Sequence, residues 1–160
     1  VLVYSILSVV ILLTVGCIKN SFFVTEPKYG VSTIPRSTWG FDGATDTYAK
    51  FYAPTRGVVD IDGSIIVADT SNHRIRKIDN NGVVTTIAGS SYGYVDGQGT
   101  NAKFYWPSLI GIDKEGAIIV TDRDNHRIRK IDSNGVVSTI AGSTKGYADG
   151  IGTNLSLIHI

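Results

Sequence analysis

The sequence has no methionine, a single cysteine and almost no excess of either charge. One cysteine cannot form an intramolecular disulfide, so a disulfide framework is excluded. The 15 Lys and Arg residues nearly balance the 14 Asp and Glu residues, which excludes the clustered basic excess of a nucleic-acid-binding protein. A phosphate loop and a Cys-x-x-Cys pair are also missing. We therefore predict no nucleic-acid partner and identify no catalytic residue.

The first 16 residues contain no charged side chain, and Cys17 follows them directly. The run is shorter than the ~20 apolar residues that span a bilayer, but it suits the hydrophobic region of a signal peptide. The segment "TVGC" after Leu13 resembles a bacterial lipobox, whose cysteine becomes lipidated. We therefore expect a lipoprotein-type signal peptide over residues 1–16, a lipid on Cys17 and a linker over residues 17–29. The alternative is an uncleaved signal anchor with an incidental cysteine.

These features predict export and tethering to the bacterial cell envelope, with the outer membrane as the expected site. A lipid would hold the protein at the membrane surface without a spanning segment. The missing methionine indicates that the sequence is a piece of a longer chain. The last residues, "LSLIHI" at 155–160, interrupt the repeat described next and match one reading frame of a transposase sequencing adapter. We interpret them as an artefact and leave His159 out of the candidate sites.

A repeat occupies most of the remaining sequence. A shift of 53 residues places "GSIIVADTSNHRIRKIDNNGVVTTIAGS", which starts at Gly63, on "GAIIVTDRDNHRIRKIDSNGVVSTIAGS", which starts at Gly116. The same shift aligns "AKFYAP" with "AKFYWP" and "GYVDGQGTN" with "GYADGIGTN". A partial earlier copy begins near Gly30. A period of about 50 residues is typical of solenoids and propellers.

Each full copy contains four short runs rich in β-branched residues, with turn residues such as Asp62-Gly63 and Asn80 to Gly82 between them. In the first copy the runs are "RGVVDI", "SIIVAD", "RIRKID" and "VVTTIA". Four strands in up-and-down order form one propeller blade. Apolar residues are continuous within the runs, as expected when both faces of a sheet are packed. The sequence therefore predicts an all-β propeller, with about two blades and a partial one present.

Two segments of each copy carry a family resemblance. The pattern D-x-x-G-x-I-x-V-A/T-D-x-x-N-H-R-I-R-K-I, followed by G-x-V-x-T-I-A-G, resembles the NHL repeat, which is named for an Asn-His-Leu triplet. Arg74 and Arg127 stand in place of the leucine. The resemblance covers residues 30–154 and implies a propeller of four-stranded blades. Because closed propellers have ~4–8 blades, it also implies further blades in a longer protein.

The polar residues that recur in both copies are candidates for a repeated structural network. A single active site occurs once in a propeller, whereas residues copied into every blade are more simply explained as scaffold, paired by hydrogen bonds so that they can be partly buried. The alternative is a metal site that joins the two histidines, but no third ligand accompanies them. "DGQGTN" and "DGIGTN" are interpreted as turns between blades, not as calcium loops. The repeated residues are Asp69, Asn72, His73, Arg74, Asp122, Asn125, His126 and Arg127.

Positions that differ between the copies are better candidates for specificity. Ala53 becomes Trp106, and Thr70-Ser71 becomes Arg123-Asp124. Arg56 becomes Leu109. An exposed Trp beside a proline is a natural stacking or interface anchor. We predict possible binding residues at Arg56, Trp106 and Arg123, with neutral drift as the alternative at each position.

Two classes of function follow. The resemblance implies a non-catalytic module that presents a propeller face to a protein or glycan partner at the cell envelope, without a cofactor. It also implies an alternative, because six-bladed relatives include metal-dependent lactonases and lyases. Calcium or zinc is expected only in that second case, with a site carried mostly by other blades.

Overall fold

The computed structural model describes residues 22–26, 30–34, 49–146 and 150–154. Within these ranges every regular element is a β-strand or a single 3₁₀ turn, and there is no helix long and apolar enough to cross a membrane. Cys17 and residues 155–160 lie outside the described residues. The strands are β1 Phe22–Glu26, β2 Gly30–Ile34, β3 Arg56–Val59, β4 Ile65–Asp69, β5 Arg74–Ile78, β6 Val84–Ala88, β7 Gly97–Gln98, β8 Pro107–Ile112, β9 Ile118–Asp122, β10 Arg127–Ile131 and β11 Val136–Ala141.

Two antiparallel meanders form the main part of the described structure. Strands β3 to β6 pair in chain order and are called blade 1, and strands β8 to β11 pair in chain order and are called blade 2. The four runs predicted for the first copy are thus confirmed as strands, each one or two residues shorter than its run. Strands β1 and β2 form a separate antiparallel pair.

Aspartates hold the hairpin turns. In the turn between β5 and β6, Asp79 Oδ1 accepts the amide N–H groups of Asn81 and Val83, both at 2.8 Å. Asp132 does the same between β10 and β11, at 2.9 Å to Asn134 and Val136. Each carboxylate accepts hydrogen bonds from backbone N–H groups that have no backbone acceptor in a tight turn. The copied turn residues therefore specify the same hairpin in each blade.

Residues 89–106 connect the two blades. They form more regular structure than the turn that the sequence predicts. They include β7, which pairs with β11 and so adds a fifth strand to the sheet of blade 2. A 3₁₀ turn follows at Gly99–Asn101, and the chain then enters β8 at the opposite edge of the sheet. The connecting segment thus contacts both edges of the blade that follows it.

The two blades pack face to face around a shared apolar core. Successive side chains of β4 lie on opposite faces of the sheet. Ile66 and Ala68 lie in the core between the blades, and Ile65 and Val67 lie in a second cluster on the other face. Burial on both faces explains why the strand sequence shows no apolar–polar alternation. Each buried Val, Ile or Phe contributes about 1.5–3 kcal/mol. The core between the blades contains Ile66, Ala68, Ile75, Ala88, Ala102, Phe104, Ile118, Val120, Ile131 and Val137.

Candidate functional site

Each blade makes the same turn between its second and third strands. In blade 1, β4 ends at Asp69, a 3₁₀ turn covers Thr70–Asn72, and His73 has a positive φ of 57°. In blade 2 the equivalent His126 has a φ of 55°. Positive φ is uncommon for a residue with a side chain, so its recurrence at both histidines indicates a turn that is part of the fold.

Glycines at the ends of the fourth strands allow this turn to pack closely. A Cβ atom on Gly89 would collide with the carbonyl oxygen of His73, and one on Gly142 would collide with that of His126. Both glycines also have positive φ, 93° and 86°. The glycine of the copied "IAGS" segment is therefore required by contact with the histidine backbone.

In blade 2 the predicted network is built around a buried carboxylate. Asp122 Oδ1 accepts the amide N–H of Tyr105 at 2.7 Å, and its Oδ2 accepts a hydrogen bond from Asn125 Nδ2 at 2.8 Å. Arg129 Nη1 donates to the same Oδ2 at 2.6 Å. Burial raises the pKa of Asp122, and the hydrogen bonds from Asn125, Tyr105 and Arg129 act in the opposite direction.

Arg129, which the sequence-based candidates did not include, is the central cation of this network. Its side chain is fully buried and also forms an ion pair with Asp96 Oδ1 at 2.6 Å. Nη1 and Nη2 also donate to the carbonyl oxygens of Lys103 and Val95, at 3.1 and 2.9 Å, whereas the buried Nε has no hydrogen-bond partner among the described residues. The sequence carried a signal for Arg129. Arg127 and Arg129 are two positions apart on one strand, which places both side chains on the same face of the sheet.

Blade 1 contains the corresponding arrangement. Asp69 Oδ1 accepts the amide N–H of Tyr52 at 2.8 Å, and Asn72 Nδ2 donates to both carboxylate oxygens at 3.0 and 2.9 Å. Arg76, equivalent to Arg129, is buried and lies 3.3 Å from Asp69 Oδ2. Burial raises the pKa of Asp69 as well. Arg74 and Arg127 each donate to the carbonyl oxygen of the Asn two positions before them, at 2.8 and 2.7 Å.

Polar contacts cross from the turn of blade 1 to the first strand of blade 2. Thr70 Oγ1 donates to the carbonyl oxygen of Pro107 at 2.7 Å. The amide N–H of Trp106 donates to His73 Nδ1 at 3.3 Å, which requires a neutral imidazole. Burial, followed by the charge of Arg74, lowers the pKa of His73 and so favours that form. In blade 2, His126 Nδ1 is buried and has no hydrogen-bond partner among the described residues.

An exposed aromatic group lies at this junction. The rings of His73, Tyr92 and Tyr105 lie 5.8–6.1 Å apart, centroid to centroid. Tyr92 is 70% exposed, and Tyr105 and Trp106 are each 38% exposed. The guanidinium carbon of Arg123 lies 5.7 Å from the Trp106 ring centroid. We call these five residues the junction surface.

The structure therefore brings together two of the three residues predicted for binding. Trp106 and Arg123 contact each other, whereas Arg56 begins β3 of blade 1, where it pairs with Ala68 and is exposed. The backbone of Trp106 has a positive φ of 54°, and Ala53 at the equivalent position of blade 1 has a φ of 45°. The conformation thus belongs to the repeat, while the indole belongs to blade 2 alone.

Comparison with known proteins identifies the repeat. A family model described as the NHL repeat matches residues 104–131. NHL repeat-containing protein 2 of chicken (Gallus gallus) is 40% identical over 92 residues, which are 56% of this chain and 12% of the chicken protein. This chain therefore carries the NHL repeat that its sequence resembles. It spans a small part of the relatives that it matches, about an eighth of the chicken protein.

Solved structures agree with the propeller fold of an NHL-repeat protein. An auxiliary nutrient binding protein from Bacteroides ovatus is 28% identical, with a TM-score of 0.51 over 59% of this chain and 27% of that protein. A protein of unknown function from Bacteroides thetaiotaomicron aligns over 88% of this chain and 36% of its own length, with a TM-score of 0.69 and 22% identity. The second likeness concerns the fold alone. The all-β propeller predicted from the sequence is confirmed.

The described part of the NHL blades contains no group of three or more His, Cys, Asp or Glu side chains that could hold a metal ion. His73 and His126 occupy equivalent turns of neighbouring blades, and the Nδ1 of His73 already accepts the Trp106 amide. The contacts of His73 therefore do not support a metal ion shared by these two histidines.

Residues 89–93 also match the pattern Gly-x-Ser-x-Gly around Ser91, which was not among the sequence-based candidates. A nucleophile elbow places its serine between a strand and a helix. Ser91 instead lies in the segment that connects two NHL blades, and no helix other than 3₁₀ turns occurs in the described ranges. The pattern therefore lacks the structural context that would make it catalytic.

Proposed function

We propose that this chain is part of a non-catalytic NHL propeller that presents the junction surface to a protein or glycan partner at the bacterial cell envelope. The observation that carries the proposal is the contact between Trp106 and Arg123, an exposed pair that blade 1 lacks. Repeated residues build the blade, so a partner can be distinguished only by residues that are not repeated. Aromatic and Arg side chains are also the types most enriched at binding hot spots.

In this proposal the copied polar residues have an architectural role. Asp69 and Asp122 each collect a backbone amide, an Asn amide and a buried guanidinium within their own blade and the segment before it. Their bonding capacity is used for packing, and a buried carboxylate without such partners would cost several kcal/mol. They hold the turn on which Arg123 and His73 are placed.

The Bacteroides ovatus neighbour supports a binding role, because it is described as an auxiliary nutrient binding protein and its identity is 28%. A binding role is compatible with the lipoprotein-type signal proposed for residues 1–16 and the lipid proposed on Cys17. The remaining boundaries that we propose are a linker over residues 17–29, propeller repeats over 30–154 and an artefact at 155–160.

A residue exchange between the blades tests this function. The double variant Trp106→Ala, Arg123→Thr gives blade 2 the residues that blade 1 carries at Ala53 and Thr70. Immobilised parent chain should retain material from at least one of two bacterial envelope fractions, polysaccharide or detergent-solubilised protein, and the double variant should lose most of that retention. Equal retention by both chains would refute the assigned surface, and no retention from either fraction would refute the binding function.

The proposed anchor needs a separate test in bacteria that express the natural full-length gene. We expect incorporation of a fatty-acid label and globomycin-sensitive processing, both lost in Cys17→Ala. Unchanged labelling of Cys17→Ala would refute lipidation at this cysteine and leave the binding surface untouched.

A further inference from the structure

We propose that the junction surface binds a neutral glycan, with a sugar ring stacked on Tyr105, Tyr92 or the Trp106 indole and its hydroxyl groups bonded to Arg123 and Asp124. This inference rests on the proposed binding function and names its ligand class. It concerns residues 73, 92, 105, 106, 123 and 124, all within the described part of the chain.

The aromatic rings of this surface are held in place before any ligand arrives. Tyr92 and Tyr105 lie 6.0 Å apart, and the His73 ring contacts both in edge-to-face geometry. The Trp106 backbone is bonded to His73, and the carbonyl oxygen of Tyr105 accepts the amide N–H of Asp124 at 3.1 Å. Preorganised rings lose little conformational entropy on binding. Flat apolar faces fixed in this way suit the C–H face of a pyranose.

A hydrogen-bond donor, Arg123, and a hydrogen-bond acceptor, Asp124, border the rings. Arg123 Nε lies 3.3 Å from Asp124 Oδ1, and both side chains are partly exposed. A guanidinium donates hydrogen bonds and a carboxylate accepts them, whereas each sugar hydroxyl does both. The paired charges cancel, so this edge favours a neutral sugar over an acidic one.

The size of the surface favours a glycan over a protein. A stable protein interface buries about 800 Å² on each partner and includes about 20–30 residues a side, and acidic side chains such as that of Asp124 are depleted in it. Here an ion pair lies beside four rings, His73, Tyr92, Tyr105 and Trp106. The six residues of the proposed site are far fewer than a protein interface contains, and they match one or two sugar rings.

Blade 1 does not carry a second copy of this site. Ala53 replaces the indole, and Thr70, which replaces Arg123, is buried with its hydroxyl bonded to Pro107. The chain should therefore bind one glycan chain at the described junction.

Tryptophan fluorescence can read this site directly, because Trp39 and Trp106 are the two tryptophans of the chain. In a Trp39→Phe background the emission reports Trp106 alone. Cellohexaose, xylohexaose, mannohexaose and maltohexaose serve as neutral probes at up to millimolar concentration, and hexagalacturonate serves as the acidic probe. We expect a saturable emission change with at least one neutral probe and one binding site per chain by calorimetry.

Substitutions then locate the binding. Trp106→Ala should raise the calorimetric Kd by about tenfold or more, as expected for a stacking anchor. The backbone tolerates this change, because Ala53 has the same conformation. Tyr52→Ala is the matched control, since Tyr52 is the blade 1 equivalent of Tyr105 and is 39% exposed, and it should leave Kd within about twofold.

Three results would overturn the inference. These are no saturable binding of any neutral probe, a preference for hexagalacturonate, and neutral binding that Trp106→Ala leaves unchanged. If envelope protein is still retained through Trp106 and Arg123 while all sugars fail, the glycan assignment falls and the binding function stands. If the exchange of residues 106 and 123 changes no retention either, both fall.

Discussion

Blade 1 and blade 2 have nearly the same sequence and the same turn, but different neighbours complete them. Blade 1 has blade 2 packed on its face, so that Thr70 and His73 bond to the backbone of Pro107 and Trp106. In blade 2, Arg123 replaces Thr70 and is exposed, and His126 Nδ1 has no hydrogen-bond partner among the described residues. Identical side chains therefore have different hydrogen-bond partners according to what packs against them.

The connecting segment is the second difference. It supplies Asp96 and the carbonyl oxygens of Val95 and Lys103 to Arg129, so that the fully buried guanidinium of blade 2 has acceptors from outside its own meander. Asp96 also accepts the amide N–H of Thr139 at 3.2 Å, which joins the segment to β11. Repeats of this kind are stabilised through interfaces with their neighbours as well as by each unit alone.

The largest effect is expected at the buried cation. Arg129→Met removes the charge that compensates Asp122 and the hydrogen bonds to the carbonyl oxygens of Val95 and Lys103, so the free energy of unfolding should fall by about 3–5 kcal/mol. Urea denaturation followed by circular dichroism measures this change. Arg129→Lys keeps the charge but not the geometry and should be milder. A loss below about 1 kcal/mol in Arg129→Met would contradict the central role of this side chain.

The next effect is expected at the glycine beside the histidine turn. Gly89→Ala places a methyl group against the carbonyl oxygen of His73 and should destabilise the chain by more than about 1 kcal/mol. Gly116→Ala is the matched control, because Gly116 has a similar positive φ of 83° but open space around its Cβ position. The difference between their urea midpoints isolates the collision. Equal losses would show that backbone conformation alone requires the glycine.

A smaller effect tests the connecting segment. Asp96→Asn keeps the shape of the side chain but removes the charge that faces Arg129, and because Asp96 is 44% exposed at its side chain we expect a loss of about 1 kcal/mol. Asp124→Asn, which affects an exposed ion pair with Arg123, should change stability by less than about 0.5 kcal/mol. If the two losses are equal in thermal denaturation, the connecting segment does not stabilise blade 2 through this ion pair.

The smallest effect compares the two histidines. His73→Ala removes an acceptor used between blades and should cost about 1 kcal/mol at pH 7.5, whereas His126→Ala should cost less because the Nδ1 of His126 has no such bond in the described structure. Both substitutions place Ala at nearly the same positive φ, 57° and 55°, so backbone strain is matched. Equal losses would show that the bond to Trp106 contributes nothing.

The same histidine predicts a dependence on pH. Because the pKa of His73 is lowered in the folded chain, the unfolded chain takes up a proton first as the pH falls below about 6.5. The stability that neutral His73 contributes is therefore present above that pH and is lost as the pH falls through the lowered folded value. Just below about pH 6.5, the slope of stability against pH should be smaller in His73→Ala than in the parent chain.

Much of the scaffold could be predicted from the sequence because it depends on local chemistry. Runs of β-branched residues separated by Asp-Gly and Asn-Gly turns predict four strands per copy, and all four are present in each blade. The Asn and His that recur in each copy likewise indicated the turn that contains the network of hydrogen bonds.

Other features could not be predicted because they depend on partners distant in sequence. The spacing of Arg127 and Arg129 places both on one face of β10, but it does not show which of them is buried, because one of the partners of Arg129 is Asp96, 33 positions earlier. β7 is two residues long and pairs with a strand nearly 40 positions later. No local pattern indicates such a pairing.

The sequence by itself determined the all-β architecture, the repeat and the identity of the NHL family, because strand propensity, turn chemistry and a copied motif are properties of short segments. The tertiary structure alone decided which copied side chain is satisfied, buried or exposed. Trp106 and Arg123 meet at the surface, and His73 bonds while His126 does not, because hydrogen bonds and burial are set by the blade that packs against each turn.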